Sequence, residues 1–194
     1  MSRRMRQAWV VGVTVIRIPL AAAAAGLLAT ADVGAPAAWV AVALLLAVEV
    51  SDLTDGMLAR RWGVTSRFGE LLDPYCDSIA RLATYAGLAA AAISPWWLLL
   101  VLAVRDVSVA YVRILCILSG RQVAARATGK LKAVIQGGAA IMLAGTLALA
   151  PLADWTHVAA LRFVLVALVA TVTLASLVDY FLAAIRKTTV AKDE

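Results

Sequence analysis

Six apolar runs, at roughly residues 8–29, 37–62, 69–93, 96–119, 129–150 and 157–186, take up most of this 194-residue chain. A helix needs about 20 apolar residues to cross the hydrocarbon of a bilayer, and each run reaches that length. With 63% of its residues hydrophobic and only 15% charged, where an ordinary soluble domain carries about a quarter charged, the chain reads as an integral membrane protein. Spans and loops use up the length and leave no room for a separate soluble domain. The expected fold is all-α: one domain over 1–194, a bundle of six transmembrane helices with a short N-terminal segment 1–7 and a tail 187–194.

Pro36, Pro95 and Pro151 mark three junctions between runs, and Gly63 and Gly120 suit helix stops. Orientation follows from the basic residues. Arg3, Arg4 and Arg6, then Arg60, Arg61 and Arg67, then Arg121, Arg126, Lys130 and Lys132, then Arg186, Lys187 and Lys192 fall on one side. The opposite loops hold little beyond Asp32 and Asp154, with His157 and Arg162 just past the last of them. Both termini are therefore expected in the cytoplasm, in a multi-pass protein of the cell (inner) membrane. Trp39, Trp96, Trp97 and Trp155 gather near the outer junctions, as an interfacial belt does. The excess of 18 basic over 12 acidic residues is scattered in clusters between apolar runs, so no nucleic-acid partner is expected. The first run is longer than the roughly 7–15-residue core of a signal peptide and is interrupted by Arg17, which favours a span. Cys76 and Cys116 have no spacing that suggests a disulfide or a metal clip.

Four carboxylates stand where a bilayer disfavours them. Asp52 and Asp55 lie in the inner half of the second run, and Asp73 and Asp77 at the inner start of the third. Each costs about 2.5–3.5 kcal/mol on insertion scales when placed at a helix centre. At helical periodicity Asp52, Asp55, Gly56, Ala59 and Arg60 share an arc of roughly 140°, and Gly69, Asp73 and Asp77 share a face of the next helix. A short cytoplasmic turn joins the two, so they are expected to pack as antiparallel neighbours with the four aspartates in one pocket at the inner surface. Such a pocket repels itself unless cations fill it, and all-oxygen ligands favour Mg²⁺, Mn²⁺ or Ca²⁺ over zinc. Gly56, Ala59 and Gly69 leave space for a flat ring or a diphosphate. The competing reading pairs the carboxylates with Arg60, Arg67 or Arg81 as structural ion pairs. Glu49 and Asp179 stand alone and read as structural.

The basic residues form a second set. Arg105 and Arg113 lie eight apart on the fourth run, about 80° round a helix axis. Lys130 and Lys132 open the fifth run, and Arg17 projects from the first. Arginine forks bind phosphate, so Arg105, Arg113, Lys130 and Arg17 are candidates to hold an acceptor that carries a phosphate.

Asp52, Asp55, Gly56, Ala59, Arg60, Gly69, Asp73 and Asp77 match D-x-x-D-G-x-x-A-R-x8-G-x-x-x-D-x-x-x-D at every fixed position. This resembles the signature of the CDP-alcohol phosphatidyltransferases. The resemblance implies a metal-dependent enzyme of phospholipid biosynthesis that moves a phosphatidyl group from CDP-diacylglycerol to an alcohol and releases CMP. It implies two ions, Mg²⁺ or Mn²⁺, with Asp52, Asp55 and Asp73 as ligands and Asp77 accepting the alcohol's proton and also touching metal. It implies CDP binding by Asp52, Gly56, Ala59, Arg60, Gly69 and Asp73, an active site facing the cytoplasm, and a homodimer.

Thr14 with Arg17, Arg105-Asp106 with Arg113, and Gly129-Lys130-Leu131-Lys132 with Gln136 are similar to the phosphatidylglycerophosphate synthase branch, which implies glycerol 3-phosphate as acceptor. Val11 stands where that branch usually has Asn, and Ser78 where Lys often follows the fourth Asp. Inositol phosphate is the nearest rival. Serine ranks lower, because Ala80-Arg81-Leu82 replaces the Ser-Phe-Gly of that branch. A rival enzyme class is the intramembrane prenyltransferases, whose acidic motifs lie far apart. A rival of another kind is a divalent-cation carrier, which needs polar residues continuing toward the outer side.

Overall fold

The computed structural model describes residues 2–32, 36–64, 67–118, 127–152 and 154–190. Among these the regular structure is helical throughout. In chain order the helices are α1 (Arg3–Val15), α2 (Arg17–Thr30), α3 (Pro36–Trp62), α4 (Arg67–Ala90), α5 (Trp96–Leu118), α6 (Ala127–Ala148) and α7 (Trp155–Val190), with a 3₁₀ turn at Ala150–Leu152.

The first apolar run, expected as one span, is a helix broken at Ile16. Pro19 has no N–H for the Val15 carbonyl and its ring crowds that oxygen, so α1 ends at Val15 and α2 starts at Arg17. Ile16 keeps helical angles, and its N–H still reaches Gly12 O at 3.0 Å. The two pieces therefore continue as one 28-residue rod, Arg3–Thr30. Ser51 of α3 donates to Val13 O at 2.6 Å, bracing the break from the side. At the other end of α3, Gly63 adopts φ +59°, and Val64 N–H returns to Ala59 O at 3.2 Å. Glycine takes that left-handed conformation without a Cβ penalty, and it stops α3 where the sequence placed the stop.

Among the described residues, four rods are long and apolar enough to cross a membrane: Arg3–Thr30, Pro36–Trp62, Leu131–Ala148 and Trp155–Leu182. The other two, α4 and α5, carry Asp73, Asp77 and Arg81, and Arg105, Asp106 and Arg113. Large apolar side chains such as Leu53, Val104, Phe163 and Val164 point outward, as expected where the solvent is lipid.

The expected direct pairing of α3 with α4 is corrected. These helices touch only sparsely, and α2 packs between them. Its Ala-rich surface makes this possible: a Cβ on Gly87 of α4 would lie 2.5 Å from Ala25 Cα, so the two backbones are in direct contact. Small residues permit this approach between membrane helices. Leu28, Leu45, Leu88, Leu98, Leu102 and Leu143 fill the core on the far side of the charged layer.

Candidate active site

Inserting α2 between α3 and α4 brings a basic residue into the acidic set. Arg17, at the break between α1 and α2, is fully buried, and its two terminal nitrogens meet all four signature aspartates. Nη1 lies 2.7 Å from Asp52 Oδ1 and 3.4 Å from Asp77 Oδ1. Nη2 lies 2.8 Å from Asp73 Oδ1 and also pairs with Asp55 Oδ2. Asp55 is buried and takes a second bond, 2.8 Å from Thr14 Oγ1. Asp52, Asp73 and Asp77 keep side-chain exposures of 41%, 53% and 34%, so the cluster has an open side.

One carboxylate oxygen each from Asp52, Asp55 and Asp73 lies within 4.8 Å of the others. These three oxygens, already gathered round one cation, fit a hard divalent metal. Asp77 is held differently: its Oδ2 accepts from Arg81 Nη2 at 3.2 Å, four residues along α4. Arg81 also donates to Ala133 O on α6 at 3.2 Å, next to Lys132.

Beside the aspartates lies a cavity of about 160 Å³. Gly56, Ala59 and Gly69, the small residues singled out in the sequence, line it with Asp55 and Asp73, while Gln7, Val10, Val11 and Thr14 of α1 form the other wall. Arg60 is exposed, and a Cβ added to Gly56 would lie 3.6 Å from its Nη1. One helical turn further into the bundle a small apolar contact lies beside polar groups that continue past it, Glu49, Arg81, Thr84, Tyr85 and Gln136. Ala21 follows Arg17 by four residues, Val48 precedes Asp52 by four, Ala80 follows Asp77 by three, and these three pack together, buried.

Across the bundle, Asp106 Oδ1 takes Arg105 Nη1 at 2.8 Å and Lys132 Nζ at 2.9 Å. Arg105 Nη2 donates to Ser176 Oγ of α7 at 2.9 Å, and its Nε is buried without a hydrogen-bond partner. Arg113 is half-buried two turns further along α5. The side chain of Lys130 lies outside the described residues. Arg17, grouped with these residues in the sequence reading, faces the aspartates instead.

Residues 11–175 match the family model of the CDP-alcohol phosphatidyltransferases. The chain belongs to this family. Among curated CDP-alcohol phosphatidyltransferases, a probable phosphatidylglycerophosphate synthase of Mycobacterium tuberculosis is 32% identical over 147 residues, covering 76% of this chain and 66% of that protein. A CDP-diacylglycerol–glycerol-3-phosphate 3-phosphatidyltransferase of Bacillus subtilis is 32% identical over 108 residues, 55% of this chain and 56% of its own. A CMP-forming cardiolipin synthase of Streptomyces coelicolor is 47% identical over 68 residues, 35% of this chain and 31% of its own. The matched stretch thus spans two thirds or less of these relatives.

Several polar contacts round the family's signature escape sequence reasoning. Tyr85 Oη donates to Gln136 O at 2.9 Å, Gln136 Nε2 to Thr173 Oγ1 at 2.7 Å, and Ser176 receives Arg105. Each is an ordinary hydroxyl or amide in an apolar run. The available signal was that a buried arginine on α5 needs oxygen partners from a facing helix.

Proposed function

We propose that this chain is a metal-dependent transferase that moves a phosphatidyl group from CDP-diacylglycerol to a phosphorylated polyol, glycerol 3-phosphate, with release of CMP. The observation that carries the reading is the meeting of the four signature carboxylates round one cationic centre, beside a cavity lined by Gly56, Ala59 and Gly69.

Asp52, Asp55 and Asp73 are the residues that would hold Mg²⁺ or Mn²⁺, as two ions, with Asp77 at the edge of the set. Bound there, the ions would neutralise charge on the diphosphate and on the departing CMP. The small residues of α3 and α4 seat the nucleotide against α1, with Arg60 at the rim. Asp77 accepts the proton of the acceptor's hydroxyl as its oxygen attacks phosphorus. Arg105, Arg113 and Lys130 bind the acceptor's phosphate, Arg105 exchanging part of its contact with Asp106 for it.

Ala21, Val48 and Ala80 pack together one turn beyond the aspartates. The cation-carrier reading is disfavoured because the polar groups beyond, Tyr85, Gln136 and Thr173, are buried and hydrogen-bonded to one another, where a conducting path needs groups that face it. The distribution of Lys and Arg supports six spans with both termini and the site on the cytoplasmic side, and the family resemblance implies a homodimer. Single cysteines introduced at Arg61 and Asp154 test the topology: only the first is expected to react with an impermeant reagent applied from the cytoplasmic side.

The acceptor is tested by supplying one labelled CDP-diacylglycerol with glycerol 3-phosphate, inositol phosphate, serine and a lipid-borne alcohol in turn. Phosphatidylglycerophosphate is the expected product. A product formed only with another member of the panel replaces glycerol 3-phosphate as the acceptor.

A further inference from the structure

Arg17 occupies the centre of the acidic set. One guanidinium carries four carboxylates through two nitrogens, while its third donor, Nε, is buried without a partner. Most buried donors in a settled structure are satisfied, so the orphaned Nε marks a side chain not fully accommodated where it sits. Arg17 also lies at a break in its helix, one residue after Ile16, where Pro19 leaves the Val15 carbonyl without its helical hydrogen bond. Finally, the space is single-occupancy. A divalent ion needs its oxygen ligands at about 2.1 Å, and Nη2 already sits between Asp55 and Asp73 within the set that would supply them.

From this we infer that Arg17 is an exchangeable internal counter-ion: it holds the four aspartates together when no metal is bound, and metal loading displaces it and shifts the α1–α2 junction that carries it. The inference rests on the metal-dependent reading above. Its consequence is that Arg17 sets the metal affinity by competition. Because α1 also walls the nucleotide cavity through Val10, Val11 and Thr14, metal loading reshapes that wall before the lipid substrate arrives.

The test is Mn²⁺ binding without any substrate, read from the free-Mn²⁺ spectrum over the detergent-solubilised full chain, for the wild type, Arg17→Gln and Arg17→Lys. Arg17→Gln is expected to bind about tenfold tighter or more, to melt lower than wild type in chelator, and to gain more in Tm on adding Mn²⁺. Arg17→Lys, which keeps the charge at a single nitrogen, falls between. Should Arg17→Gln collapse when stripped of metal, amide hydrogen exchange over residues 12–20 of the wild-type protein gives the answer, since it changes on adding Mn²⁺ if the junction moves. Equal or weaker binding by Arg17→Gln, or an exchange pattern that Mn²⁺ leaves unaltered, overturns the inference and leaves the transferase reading standing. A wild-type protein that binds no Mn²⁺ overturns both.

Discussion

Arg81 reaches back one turn of α4 to place its Nη2 3.2 Å from Asp77 Oδ2, and its other terminal nitrogen donates to Ala133 O of α6 at the same distance. The guanidinium thus fixes one oxygen of Asp77 and leaves the other directed at the aspartate cluster. Under the proposed role of Asp77 as proton acceptor, Arg81 is the residue that positions it. Replacing it by Met keeps much of the stem's packing and removes the fork. Misplacing a reacting group by about 1 Å costs on the order of a hundredfold, so kcat is expected to fall by ten- to a hundredfold with a small change in the CDP-diacylglycerol KM. Arg81→Lys should recover part of the loss, and unchanged kcat in Arg81→Met would remove the role.

Variants of Asp77 and Asp55 test proton transfer and metal holding separately. Asp77→Asn keeps the shape and a hydrogen bond to Arg81 but cannot take the proton, and loss of a general base costs about 10²–10⁴ in rate. Its thermal stability should stay near wild type, and its Mn²⁺ binding should fall less than that of Asp55→Asn. Asp55→Asn instead weakens Mn²⁺ binding, because Asp55 is the most buried of the four. Full turnover by Asp77→Asn excludes it as the proton acceptor.

Much of this site could be read in the sequence because helical geometry alone puts Asp52, Asp55, Gly56 and Ala59 on one face and Gly69, Asp73 and Asp77 on another. Gly56, Ala59 and Gly69 line the cavity as that geometry requires. The partner of Arg17 was not legible. Angles about a helix axis say nothing of which helix lies between two others, and that arrangement depends on Ala25 meeting Gly87 at backbone distance. The break at Ile16 was legible in principle, since Pro19 denies Val15 its bond, but the length of the apolar run hid it. Which hydroxyls receive Arg105 depends on the packing of α7, which apolar periodicity leaves undetermined.

Asp106 neutralises two buried cations at once, Lys132 at 2.9 Å and Arg105 at 2.8 Å. Removing one member of a buried charge set leaves the others uncompensated and typically costs about 3–5 kcal/mol. Asp106→Ala should therefore lower the Tm in detergent more than any single loss of Asp52 or Asp73, whose side chains are far more exposed. Similar melting of all three variants would show that Asp106 is not the charge anchor of α5 and α6.

Gly87 tests the wedge of α2. A Cβ there would stand 2.5 Å from Ala25 Cα, a backbone atom that cannot rotate away. Gly87→Ala should push α2 off α4 and cost about 1–3 kcal/mol by overpacking. Because α2 carries Arg17, the variant should also bind Mn²⁺ with altered affinity. Gly26→Ala, where a Cβ meets nothing within 4 Å, is the control and should match wild type in both measurements.

CMP release reads most directly whether the four aspartates form a metal-dependent centre for phosphatidyl transfer. Purified protein given CDP-diacylglycerol, glycerol 3-phosphate and Mg²⁺ or Mn²⁺ is expected to release CMP in equal amount to phosphatidyl product, to stop when the metal is chelated, and to resume when it is restored. Failure to release CMP with either metal and any acceptor of the panel, or release that a chelator leaves untouched, contradicts the account.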